Sequence, residues 1–231
     1  VPAETRLNTN SMEIIISGTR PSIIDQYLAE IRDQKIQSDP LRFRENLLRL
    51  GELFAYEISK TLVFRATEVV TPLGVAMVPQ LERQPVLATI LRAGLPMHHG
   101  MLRIFDHAEN CFISAYRKYT EDHSFQIEFE YMSSPGLDGK VVILSDPMLA
   151  SGRSMEISYH ALLSKGNPAA IHLVSLIASQ QGVEYLTSRI DDPRVTLWLG
   201  AIDEGMNSKS YIVPGLGDAG DLAYGEKTDS K

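Results

Sequence analysis

The chain's 231 residues, 44% of them apolar, suffice for one domain with a substantial core. Its net charge of -7 argues against broad contact with nucleic acid, whose binding is led by phosphate neutralisation, so an anionic ligand must be met by local donors. The single cysteine, Cys111, excludes an internal disulfide; with no zinc-type spacing, signal-like N-terminus or ~18-residue apolar run, a reducing cytoplasm is expected rather than secretion or a membrane.

In chain order, residues 1–20 read as an N-terminal extension, polar except for a β-like patch at Ile14, Ile15 and Ile16. Pro21 opens a helical pattern through Ile24, Tyr27, Leu28 and Ile31. A second helix starts at Asp39, a capping residue, with Pro40 in its first turn and Leu47, Leu50, Phe54 and Ile58 recurring at three and four residues. Residues 61–84 read as a strand and a connection, because Pro72 and Gly74 interrupt the β-branched residues.

From residue 86 the pattern becomes regular. Strands are predicted at 86–91, 112–117, 141–145, 170–178 and 195–202, with helices near 95–106, 152–165 and 181–189. Such alternation predicts an α/β fold, a mainly parallel sheet flanked by helices. Phe125, Ile127, Phe129 and Tyr131 alternate with polar residues, the period of a strand with one wet face, and imply a projecting β-hairpin.

Three segments carry candidate chemistry. Asp146, Pro147, Met148, Leu149, Ala150, Ser151, Gly152, Arg153 and Ser154 lie where the apolar strand 141–145 feeds a helix. A helix N-terminus offers N–H groups and a favourable dipole to a phosphate monoester, glycine allows close approach, and the Ser151 and Ser154 hydroxyls add donors. Asp146 can accept hydrogen bonds from the vicinal hydroxyls of a ribose. A capped βα turn with a solvated aspartate is the plain alternative. Leu91, Arg92, Ala93 and Gly94 form a second strand tip, and Tyr116 and Arg117 a third; two planar guanidinium groups there suit a diphosphate. Each arginine alone is more often a surface charge. In the third segment, Gly215, Gly217 and Gly220 satisfy G-x-G-x-x-G, but only eleven residues follow Gly220, so the dinucleotide fingerprint is excluded. Pro214 with three glycines instead specifies an irregular loop whose backbone can face a small planar ligand. Adjacent His98 and His99 point apart on a helix and are read as structural.

The stretch D-P-M-L-A-S-G-R-S resembles the diphosphate-sugar motif of type I phosphoribosyltransferases, and Pro147 in place of a second acid resembles their uracil branch. Arg153 stands where that branch commonly carries glycine. LRAG, the Tyr-Arg pair and the segment Tyr211 to Asp221 resemble uracil phosphoribosyltransferases in the same order, over residues 40–227. The resemblance implies phosphoribosyl diphosphate binding by Arg92, Arg117, residues 146–154 and Asp218, with Asp146, Asp218 and Arg92 as catalytic candidates. Uracil binding would fall to Ile212, Gly217, Asp218 and Ala219, within a C-terminal base-binding hood at 203–231. It further implies Mg2+ carried with the diphosphate, homo-oligomers, a GTP effector in some members and a role in pyrimidine salvage; the sequence itself offers no dedicated metal ligand. A nucleotide-sensing RNA-binding regulator on the same fold and transfer to another base are the competing readings.

Overall fold

Local capping and burial decide where the first elements lie. The computed structural model describes residues 5–8, 12–17, 21–119 and 125–227, with the backbone alone at 5–8, 115–119 and 125–130. β1 (Thr5–Asn8) pairs antiparallel with β2 (Glu13–Ile16), so the isoleucine patch becomes a strand with Ile14 and Ile15 buried. α1 (Ile23–Arg32) begins just beyond Pro21: the Ser22 hydroxyl accepts from Ile24 N, and Asp25 accepts from Ser22 N at 2.7 Å. A capping box is worth about 1 kcal/mol and sets the start of the helix, whereas burying Ile24, Leu28 and Ile31, at about 1.5–3 kcal/mol each, fixes the helix to the sheet. α2 (Pro40–Ser59) follows the predicted pattern, with Asp39 accepting from Leu41 and Arg42 N and Phe43, Leu47, Leu50, Phe54 and Ile58 fully buried.

Residues 61–84 differ from the expectation of one strand. β3 (Phe64–Thr71) and β4 (Gly74–Leu81) form a complete antiparallel hairpin joined to no other sheet among the described residues. Both its faces are largely exposed, so it lacks the apolar alternation from which strands are read.

The predicted alternation then unfolds as β5 (Val86–Leu91), α3 (Leu95–Ile104), β6 (Glu109–Tyr119), β7 (Phe125–Ser133), β8 (Val141–Ser145), β9 (Met148–Leu149), α4 (Arg153–Leu163), β10 (Ala170–Ser179), α5 (Gln180–Arg189) and β11 (Val195–Asp203). The sheet runs β1-β2-β11-β10-β8-β5-β6-β7, parallel from β2 to β6, with β9 added on β10. β5 pairs with β6 only as far as Leu91 and Ser114, whereas β6 and β7 stay paired to Tyr119 and Phe125. That antiparallel ribbon extends past the sheet where a projecting hairpin was expected; the predicted alternation of side chains at 125–130 lies outside the described residues.

Successive strand residues serve opposite layers. Ile143 packs with α1, α2 and α3, while Val142 and Leu144 pack with Tyr159 and Leu162 of α4 and Leu186 of α5. The chain ends with β12 (Gly205–Met206) and β13 (Ile212–Val213), paired antiparallel, and the short α6 (Ala219–Tyr224), whose Ala219 and Ala223 join the first layer. Because the central strands are parallel, the ends of β5, β8 and β11 all reach the same edge, and this positions the site.

Candidate active site

The loop after β8 does not pass directly into α4. Asp146 N donates to Val174 O at 3.0 Å and Ser175 Oγ donates to Asp146 O at 2.7 Å. The Pro147 carbonyl accepts from both Leu176 N and Ile177 N, and Met148 and Leu149 continue beside Ile177 and Ala178. The backbone of residues 146–149 is thus clipped to β10, and Asp146 Oδ1 accepts from Met148 N at 3.4 Å. Ser179 Oγ donates to Ala150 O at 2.6 Å and accepts from Gly182 N, so one hydroxyl ties the loop to the start of α5.

Gly152 sits at φ +79, where an added Cβ would stand 2.9 Å from Gly182 O and 2.9 Å from Tyr185 Cδ1. Glycine is therefore demanded by conformation and packing, in addition to any approach of a ligand. As the N-cap of α4 it brings no side chain to the first N–H groups, the arrangement an anion completes. Ser151 and Ser154 are half-buried beside it, and Arg153 is exposed.

The Arg92 turn abuts this loop. A Cβ at Gly94 would overlap Thr89 Oγ1 at 2.1 Å and approach Ser145 O at 3.0 Å, and Thr89 Oγ1 itself donates to Ser145 O. The Leu91–Arg92 and Val213–Pro214 peptides are both cis. Arg92 Nη2 donates to Asp221 Oδ1 at 2.9 Å and to Gly225 O at 3.2 Å, whereas its Nε is buried with no protein partner. Arg117 lies on the β6–β7 ribbon opposite Ile127, beyond the end of β5; its side chain, and that of Lys118, fall outside the described residues.

The glycine segment closes over the same edge. Ile212 is buried on β13, Gly217 is exposed at φ +96, and Ala219 is buried at the start of α6. Asp218 caps α6 by accepting from Asp221 N at 3.0 Å. A Cβ placed on Gly220 would lie 3.2 Å from Asp218 Oδ1 and 3.8 Å from Arg92 Nη2. The expected base segment and the expected diphosphate arginine therefore flank one glycine.

His98 is buried with Nε2 2.7 Å from Asn110 Oδ1, and burial pushes its pKa down to about 4, whereas His99 faces outward. His172 is likewise held near 4 by burial; its Nδ1 accepts from Trp198 Nε1 at 3.1 Å. Arg103 is exposed and pairs with Glu52 at 3.1 Å.

The sequence model of the family described as uracil phosphoribosyltransferase matches residues 19–226. The chain belongs to the uracil phosphoribosyltransferase family. A uracil phosphoribosyltransferase of Porphyromonas gingivalis is 55% identical over 94% of this chain and 100% of its own length. One from Methanothermobacter thermautotrophicus is 37% identical over 90% and 94%. Among solved structures, the AQ2163 protein of Aquifex aeolicus superposes with a TM-score of 0.80 at 29% identity, covering 92% of this chain and 98% of that one. The uracil phosphoribosyltransferase segments read from sequence meet at one sheet edge here, with the exception that Arg117 is placed by its backbone alone. Sequence reading missed Asp221, the partner of Arg92, and the Arg32–Asp203 pair beneath the glycine segment. Asp221 stands within the segment already singled out and Asp203 opens the expected hood, while nothing local marks Arg32.

Proposed function

We infer that this chain transfers the 5-phosphoribosyl group of phosphoribosyl diphosphate to uracil, giving uridine 5′-monophosphate and diphosphate. It is a pentosyltransferase of the family to which it belongs. The observation that carries the reading is the meeting of Arg92 and Asp218 at Gly220: the segment read as base-binding and the turn read as diphosphate-binding contact each other, at the sheet edge whose β8 leads to a helix start suited to a phosphate monoester.

In this reading the sugar phosphate rests on the N–H groups of residues 151–154 and Asp146 accepts from the ribose hydroxyls. Arg92 and Arg117 take the diphosphate, and the backbone of Ile212, Gly217, Asp218 and Ala219 reads the uracil edge. Uracil N1 attacks the anomeric carbon and gives up its proton to solvent, the bond from that carbon to the diphosphate oxygen breaks, and the electron pair leaves with the diphosphate. Positioning three groups on three loops of one rigid edge supplies most of the acceleration, and the guanidinium groups stabilise the charge that develops on the leaving group. Mg2+ enters bound to the diphosphate as part of that substrate, since it binds through phosphate oxygens and few carboxylates.

The same proposal includes a single catalytic unit spanning 1–231, a cytoplasmic location in pyrimidine salvage and a homo-oligomer. Among the described residues no helix is long and apolar enough to cross a membrane. The β3–β4 hairpin exposes Val70 at 84% and Leu73 at 100%, with Val75 and Met77 beside them, an apolar ribbon that a second copy of the chain would cover. A GTP effector, implied by the sequence resemblance alone, completes the proposal. The test is product identity: uracil, phosphoribosyl diphosphate and Mg2+ yield uridine 5′-monophosphate and diphosphate in equal amounts. Failure to form the nucleotide with all three present overturns the reading.

A further inference from the structure

The segment read as base-binding hangs on an ion pair, half-buried at Arg32 and buried at Asp203, contributed by two distant parts of the chain. Arg32, in the last turn of α1, donates from Nη1 to Asp203 Oδ2 and from Nη2 to Asp203 Oδ1, each at 2.8 Å. Asp203 ends β11 and is only 8% exposed. Both members then turn to one residue: Arg32 Nη1 donates to Gly215 O at 3.0 Å, and Gly215 N donates to Asp203 Oδ2 at 2.8 Å. Every backbone hydrogen-bonding group of Gly215 is thereby committed to the pair.

Gly215 is the pivot of the segment. It is buried at φ +56, and an added Cβ would stand 2.2 Å from Ile212 O, so this turn tolerates no drift of one residue past the other. Ile212 precedes it by three residues and Gly217, Asp218 and Ala219 follow within four. Burial alone would raise the Asp203 pKa, but the hydrogen bonds from Arg32 and Gly215 and the Arg32 charge hold it below the ordinary carboxylate range. The carboxylate is thus kept in the form that accepts from all three donors, which gives the clamp a fixed geometry.

We propose that Arg32 and Asp203 are positioning residues for the base: by clamping both backbone groups of Gly215 they hold the flanking Ile212 and Gly217 to Ala219 in register with uracil. This rests on the reading that those residues bind uracil. Neither charged residue touches the substrate, and their effect reaches it through the loop backbone.

The test is steady-state kinetics with each substrate varied, together with thermal unfolding, on five proteins: wild type, Asp203→Asn, Arg32→Lys, the pair Arg32→Met with Asp203→Leu, and Gly217→Val as a change within the base segment. Asp203→Asn raises the uracil KM on the order of tenfold, because a small misplacement of positioning groups is costly, and leaves the phosphoribosyl diphosphate KM within about twofold. Arg32→Lys, which keeps the charge but loses the fork, gives a smaller rise. The apolar pair recovers thermal stability relative to Asp203→Asn, since a buried ion pair can be replaced by hydrophobic packing, yet keeps the raised uracil KM. Were the apolar pair to recover the wild-type uracil KM along with its stability, or were both KM values to rise together, the pair would be merely structural and the proposal overturned. Gly217→Val separates the two levels. If it raises the uracil KM and the clamp variants do not, only the clamp fails; if it leaves that KM unchanged, the base-reading assignment fails and the clamp with it.

Discussion

Replacing Gly152 with alanine probes the phosphate loop through a strain and a clash of known size. At φ +79 a residue with a Cβ costs about 1–2 kcal/mol. The new methyl would also stand 2.9 Å from Gly182 O and Tyr185 Cδ1, closer than packed atoms tolerate, and relief of such overpacking typically costs about 1–3 kcal/mol. Gly182 is held in place by the bond from its N–H to Ser179 Oγ at the start of α5. The loop must therefore move instead of α5. Together the terms give about 3 kcal/mol, or roughly 9 °C in Tm at about 3 °C per kcal/mol for a chain of this size. Gly139→Ala is the control, since Gly139 has φ +66 but nothing within 4 Å of its added Cβ; it should lose only about 1 kcal/mol, near 3 °C, with normal kinetics. For Gly152→Ala, kcat/KM for phosphoribosyl diphosphate should fall about 10- to 100-fold while the uracil KM changes little. Differential scanning calorimetry and initial rates measure both. Equal Tm losses in the two variants, with unchanged diphosphate-sugar kinetics, would refute the reasoning.

Other perturbations address separate parts of the account. Asp146→Ala should cut turnover by about 10²-fold or more while leaving the backbone bonds of this residue to β10 in place, and wild-type kinetics would remove Asp146 from the site. Asp221→Asn frees Arg92 Nη2 from its carboxylate and should raise the phosphoribosyl diphosphate KM about three- to tenfold; an unchanged value would mean that Asp221 does not aim the guanidinium. His98 and His172 are each depressed from 6.5 to about 4 by burial, so the unfolded chain binds the extra protons. Stability is then full above pH 6.5 and falls as pH drops toward 4, by up to about 3 kcal/mol per histidine. Urea midpoints that stay level across that window would contradict this. Val70→Ser combined with Leu73→Ser should lower the assembly mass in sedimentation, and an unaltered mass would place the interface elsewhere.

The strands β5, β8 and β10 were legible because their residues are buried on both faces, which leaves continuous apolar runs bounded by glycine and polar turns. The β3–β4 hairpin was not, since strands with no buried face carry no period. Residues 146–154 stood out through the strand-to-helix junction together with their resemblance to the diphosphate-sugar motif, yet two of their features needed coordinates. Pro147 gives its carbonyl to two donors of β10, and Gly152 is required by Gly182 as much as by a ligand. The Arg32–Asp203 pair was invisible for a different reason: its members stand 171 residues apart, and each looks locally like an ordinary surface charge. Hydrogen bonds that join distant segments leave no spacing in the sequence to detect.

Diphosphate release measured with uracil, cytosine, hypoxanthine and guanine in turn, each with phosphoribosyl diphosphate and Mg2+, tests the central claim most directly. The account predicts release with uracil far above that with the other three bases, matched by uridine 5′-monophosphate. Preference for a purine would contradict the assignment of Ile212 and Gly217 to Ala219 to uracil, and no release with any base would contradict the transferase itself.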